Sequence, residues 1–206
     1  MKTIKLMMMT IAAMSVSCSS NLKHADNGAK SKKLFMDVHN LEPGKVTFAD
    51  VEKAHQKDLA TQDKYGVRFL KYWVDEAAGK VYCLADAPDS ASLSHTHADA
   101  HGLIPARVFE MTDGKEAALQ TNRPMYMDIH TLGAGNVTAT AVAGAHEKDL
   151  AAEGRHNVNF VNYWVNEKSG VVMCLSQSSD SSAVVTTHKE AHGLIPAEVH
   201  PVKQGQ

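Results

Sequence analysis

The chain is written twice. Shifted by 91 residues, positions 35–110 overlay positions 126–201 without a gap, and roughly half of the overlaid positions are identical. His39 falls on His130, His55 on His146, Asp58 on Asp149, Trp73 on Trp164, Cys83 on Cys174, His97 on His188 and His101 on His192. The fold must therefore be one that a unit of roughly 80 residues can build and a second copy can complete. Repeat 1 spans 33–111 and repeat 2 spans 125–202, with a polar linker, 112–124, closed by Pro124.

Within one copy the periodicity is legible. Residues 34–39 alternate and stop before Pro43-Gly44, a strand followed by a turn. Thr47 can cap a helix whose apolar face carries Phe48, Val51, His55, Asp58 and Leu59. Residues 67–74 and 80–85 are β-branched and aromatic runs joined by a turn, the pattern of a hairpin. Asp89 opens a second helix that Gly102 stops after His101, and 106–111 is a last short strand. The order βαββαβ is the ferredoxin-like unit, which covers one face of its sheet with helices and leaves the other bare. The second copy supplies the missing cover, so the expected class is α+β, with the two repeats paired as an intramolecular α+β barrel, a pseudo-dimer in a monomeric chain. Trp73 and Trp164, each in a Tyr-Trp-Val context, read as packing rather than as stacking platforms. Cys83 and Cys174 can be small buried groups, soft metal ligands or a disulfide across the pseudo-twofold axis.

Before the repeats lies an address. Lys2 and Lys5 precede an apolar stretch, 6–16, ending in Ser17-Cys18, and this reads as a signal peptide over 1–17. A bilayer-spanning helix needs roughly 20 apolar residues, so the stretch is too short to stay as an anchor. Ser15-Val16-Ser17-Cys18 resembles a lipoprotein processing box, with Cys18 the lipidated residue and 18–32 a flexible tether. The expected location is the cell envelope, as a membrane lipoprotein facing the periplasm or the exterior.

Composition narrows the partners. Lys plus Arg number 21 against 23 Asp plus Glu, a formal net charge of −2, so there is no basic surplus for nucleic acid. Histidines number 12, and the four at matching positions of each copy survive while half of the sequence around them diverges. His97 and His101, like His188 and His192, stand at i and i+4 on one helix face, about 6 Å apart, where two imidazoles can share an ion. His55 and Asp58, like His146 and Asp149, stand at i and i+3. His39 shares a strand face with Asp37. Such sets also arise as acid/base groups or as packed structural histidines.

The string His55-x-x-Asp58-Leu59, Tyr65-Gly66-Val67, Tyr72-Trp73-Val74, Cys83-Leu84, Ala87-Pro88-Asp89 and His97-x-x-x-His101-Gly102 resembles a bacterial nickel-binding family of ferredoxin-like proteins, first catalogued as a domain of unknown function. The resemblance spans nearly all of each repeat. It implies an α+β barrel that binds nickel and has no established enzymatic activity. Carried over position by position, the candidate ligands are His39, His55, Asp58, His97 and His101, then His130, His146, Asp149, His188 and His192. The second copy departs at Ser178-Ser179-Asp180 and His156-Asn157.

The donor set by itself fits Ni2+, Zn2+, Cu2+ and Co2+ alike, so nickel rests on the resemblance. The expected function is binding of a divalent metal ion, one site per repeat, for storage, sequestration or delivery, with the ion lost as pH falls through about 6.5. The rival readings are an α+β-barrel enzyme with a pocket between the sheets and a histidine base, and a duplicated interaction module.

Overall fold

The computed structural model describes residues 31–206. The signal peptide, Cys18 and all but the end of the tether lie outside the described residues. Among the described residues no helix is long and apolar enough to cross a membrane.

The first repeat runs β1 (Lys33–Asn40), α1 (Phe48–Thr61), β2 (Arg68–Asp75), β3 (Lys80–Ala87), α2 (Ser90–Ala100) and β4 (Arg107–Glu110). A two-residue strand, β5 (Thr112–Asp113), follows. The second repeat runs β6 (Met125–Thr131), α3 (Ala139–Ala152), β7 (Asn159–Asn166), β8 (Val171–Gln177), α4 (Ser181–Ala191) and β9 (Glu198–Gly205). The helix starts are those the caps dictate. Thr47 accepts from the Asp50 N–H while the Asp50 carboxylate accepts from the Thr47 N–H, and Asp89 and Asp180 cap α2 and α4. Gly102 and Gly193, at φ +81° and +80°, take the left-handed conformation that ends α2 and α4 just past His101 and His192.

The strands form one antiparallel sheet in the order β4-β1-β3-β2-β9-β6-β8-β7-β5, curled into a nearly closed barrel. Two strands tie the repeats together. β9 pairs with β6 through residues 198–202 and then with β2 of the first repeat through residues 203–205. The same exchange runs the other way: β4 pairs with β1, and after Met111 the chain continues as β5 against β7 of the second repeat. The start of the predicted linker is thus a strand, which its polar sequence hid. Gly114 and Gly205 occupy equivalent places at the ends of these strands, where an added Cβ would stand 2.6 Å from the Tyr163 ring and 2.1 Å from that of Tyr72. β2 and β7 each carry a register shift at the same point, at Leu70 and at Val161, the kind of bulge that bends a strand around a barrel.

Alternation sorts the side chains into two layers. Met36, Val38, Trp73, Tyr82 and Leu84 meet Met127, Ile129, Val161, Trp164, Met173 and Leu175 inside the barrel. Trp73 and Trp164 lie with ring centroids 5.2 Å apart, and both are buried, as packing residues should be. The outer face of β1 instead presents Phe35, Asp37 and His39 towards the helices, where Val51, Phe69, Val81, Cys83 and Leu93 form the first repeat's other core. Asp37, His39, Asp58 and His97 all lie in this outer, helix-covered layer.

Candidate metal centre

Polar residues on β1, α1 and α2 meet beneath the helices of the first repeat. Asp37 comes from β1, Asp58 from α1 and His97 from α2, and all three are buried. The His97 ring is held at both ends: Nδ1 lies 3.0 Å from Asp58 Oδ1 and Nε2 lies 3.1 Å from Asp37 Oδ2. His101, one turn on, brings its Nε2 to 3.2 Å from His97 Nδ1 and to 3.2 Å from Asp58 Oδ2. His39 Nε2 lies 3.2 Å from Asp37 Oδ1. The second repeat reproduces the arrangement: His188 Nδ1 is 3.0 Å from Asp149 Oδ1, and His192 Nε2 is 3.2 Å from both His188 Nδ1 and Asp149 Oδ2.

Two groups of donors result in each half. Asp58, His97 and His101 form one, and Asp37, His39, Cys83 and His97 the other, with ligand atoms in each group all within 4.8 Å of one another. The second repeat matches with Asp149, His188 and His192 and with Asp128, His130, Cys174 and His188. Asp58, His97 and His101 make a triangle with edges of 3.0 to 3.2 Å. Donors about 2.0–2.2 Å from a shared ion stand roughly 3.0–3.5 Å apart, so these residues fit a small divalent cation. A second observation agrees. Asp37 Oδ1, Asp128 Oδ1 and His188 Nε2 are buried with only ion-pair contacts of 3.2 to 3.4 Å between the rings and the carboxylates, and Asp128 Oδ2 has no hydrogen-bond partner, a cost that a cation would offset.

Electrostatics without an ion follow from this packing. Burial opposes charge on Asp37, but the His39 and His97 rings beside it prevail and bring its carboxyl down to about 2. Burial likewise opposes charge on His97, but hydrogen bonds to Asp37 and Asp58 prevail and raise it to about 10. His188 is raised to about 10 in the same way by Asp128 and Asp149. His97 is therefore an imidazolium between two carboxylates at neutral pH. Burial, then Asp37 and Asp58, push the Cys83 thiol up, and Cys174 follows suit.

Of the sequence-predicted residues, Asp58, His97 and His101, with Asp149, His188 and His192, come together in one group per repeat, and His39 and His130 stand in the other group, on the far side of His97 and His188. His55 and His146 do not join either donor group. His55 is buried on α1 with its ring 4.6 Å from that of Tyr72 and 5.8 Å from that of Phe69, and His146 packs the same way on Tyr163 and Phe160. The face of α1 that holds Asp58 over the cluster turns His55 onto the aromatics of β2. Asp37 and Asp128, left out of the predicted ligand set, stand at its centre, and their i, i+2 pairing with a retained histidine was the available signal. Cys83 and Cys174 are free, each buried beside its own centre, so the disulfide across the axis does not form. Their two positions face the helices of different repeats.

A family model described as the nickel-responsive protein SCO4226-like family matches the chain twice, over residues 35–111 and 126–202. The crystal structure of SCO4226 from Streptomyces coelicolor A3(2) is 35% identical, over 37% of this chain and 93% of that one, with a TM-score of 0.36. A candidate monooxygenase from Lactobacillus acidophilus NCFM is 10% identical over 84% of this chain and 94% of its own, with a TM-score of 0.48. Chlorite dismutase from Candidatus Nitrospira defluvii, in complex with imidazole, is 10% identical over 85% and 90%, with a TM-score of 0.44. No curated protein matches.

Proposed function

This chain belongs to the SCO4226-like nickel-responsive family, whose unit it carries twice, and from that premise we propose that it binds one divalent transition metal ion per repeat, nickel in the first instance. The observation that carries the reading is the donor triangle of Asp58, His97 and His101, rebuilt by Asp149, His188 and His192 with the same 3.0 and 3.2 Å spacings. Asp37 holds the far end of the His97 ring at 3.1 Å, and Asp128 stands 3.4 Å from that of His188, the place a carboxylate takes when it orients a ligating imidazole. With Asp37 and Asp58 ionised, a dication leaves each centre close to neutral, which a buried site requires.

Asp58, His97 and His101 lie 3.0 to 3.2 Å from one another, at the spacing of ligands around one ion. Capture and release of an ion, for storage, sequestration or delivery, is the chemistry they perform best. A lipid on Cys18 would place this activity at the cell envelope, and its test is the mass of the mature N-terminus.

Elemental analysis and calorimetry on untagged protein test the binding directly. The unaltered chain takes up one nickel ion per repeat, and the double substitution His97→Ala, His101→Ala removes one of the two. Unchanged uptake in that variant refutes the site.

A further inference from the structure

The two centres share their donors but not their surroundings. Beside the first lies a cavity of about 140 Å³, walled by Leu41, Val46, Val51, Ala54, Val81 and Leu103 and opening onto Asp58, His97 and His101. The equivalent space in the second repeat, between Leu132, Val142, Ala145, Val172 and Leu194, is about 30 Å³. The first is close to the roughly 150 Å³ of an engineered apolar cavity that accepts benzene, whereas the second holds nothing larger than about one water.

We propose that the first centre is a ligand site as well as a metal site: a neutral, single-ring heteroaromatic nitrogen base seats its ring in this cavity and its nitrogen on the ion held by Asp58, His97 and His101. The inference rests on the metal reading above. Size sets the ring, since the volume matches one six-membered ring and the walls away from the donors are mostly apolar, Tyr72 and Cys83 joining the aliphatic side chains. Coordination sets the donor, since three protein donors leave at least one position of a four- to six-coordinate ion free, and the cavity adjoins it. Charge sets the neutrality. Asp37 and Asp58 already balance a dication, so an anionic ligand would bring an uncompensated charge against Leu41, Val46 and Val51. Leu103, 46% exposed and part of the wall, stands where the guest would enter.

The test uses the full chain, its nickel content measured first, titrated with 4-methylpyridine while the nickel ligand-field absorption is followed. The expected result is a saturable spectral shift at one probe per chain. Toluene, the same shape without a donor, and benzoate, the same ring with a charge, bind about tenfold more weakly or not at all. Ala54→Leu fills the cavity, and it weakens the probe by about tenfold while both nickel ions remain bound. Nickel bound in full with no spectral shift overturns the ligand site alone, as does equal probe binding at both centres or probe binding that Ala54→Leu leaves unchanged. A chain that takes up no nickel overturns this inference and the metal reading together.

Discussion

His97 and His188 are the residues on which the chemistry turns, and their carboxylate partners make them conspicuous. An imidazole gripped at Nδ1 by Asp58 and at Nε2 by Asp37 keeps its proton far above the usual range, to about 10. An ion taking Nδ1 must displace that proton, so competition with protons begins well above the pH of about 6.5 that free imidazole implies. Calorimetry at pH 8 in buffers of different ionisation enthalpy should register about one proton released per nickel bound. The same shift fixes the sign of the stability change in chelated protein. Below about 6.5 the ring is protonated folded and unfolded alike, and its grip contributes in full; between about 6.5 and 10 only the folded form keeps the proton, so stability falls as pH rises. Thermal denaturation from pH 7 to 10 should show that fall, and His97→Gln with His188→Gln should flatten it. Asp37→Asn leaves His97 without its orienting carboxylate and should weaken nickel in the first centre by about 10- to 100-fold, measured by competition with a chelator. The sequence displayed the histidines plainly, because side chains retained in both copies stand out against divergence. It did not display the weight of Asp37, whose role depends on which strand face the helices cover.

At the scale of elements, the loop after α2 couples the centre to the surface. The Leu103 N–H donates to His101 Nδ1 at 3.1 Å, and the Leu194 N–H does the same to His192 Nδ1 at 3.1 Å. A neutral ring that accepts at Nδ1 carries its proton on Nε2, the nitrogen that faces Asp58. For Nε2 to ligate an ion, the proton must move to Nδ1, where it meets the Leu103 N–H head-on. Nickel loading should therefore shift the loop, Gly102 to Ala106, and in amide NMR spectra the Leu103 and Leu194 resonances should move most among residues outside the donor groups. Unmoved resonances would mean that His101 and His192 do not ligate through Nε2. Helix starts and stops were readable because caps are local, Thr47, Asp89 and Gly102 each acting within a turn. The orientation of His55 was not, because it depends on Tyr72 and Phe69 of a strand packed beneath α1.

At the scale of the whole molecule, the two repeats complete one continuous nine-stranded sheet. The repeat and the bare sheet face made the barrel legible, but the exchange of strand ends was hidden, since residues 112–113 and 203–205 are polar and pair only across repeats. Because the sheet is continuous, the two halves should unfold together, and damage at one seam should reach both centres. Gly114→Val drives a side chain into the Tyr163 ring and should cost about 1–3 kcal/mol in chemical denaturation, in a single transition. Two separate transitions would show that the repeats fold independently. The account as a whole stands on where the ions sit, and anomalous diffraction at the nickel edge from crystals of loaded protein locates them. It should place one peak per repeat about 2.0–2.2 Å from His97 Nδ1 and a carboxylate oxygen of Asp58, and from His188 Nδ1 and one of Asp149. Peaks confined to other histidines, such as His95, His156 or His200, would contradict it.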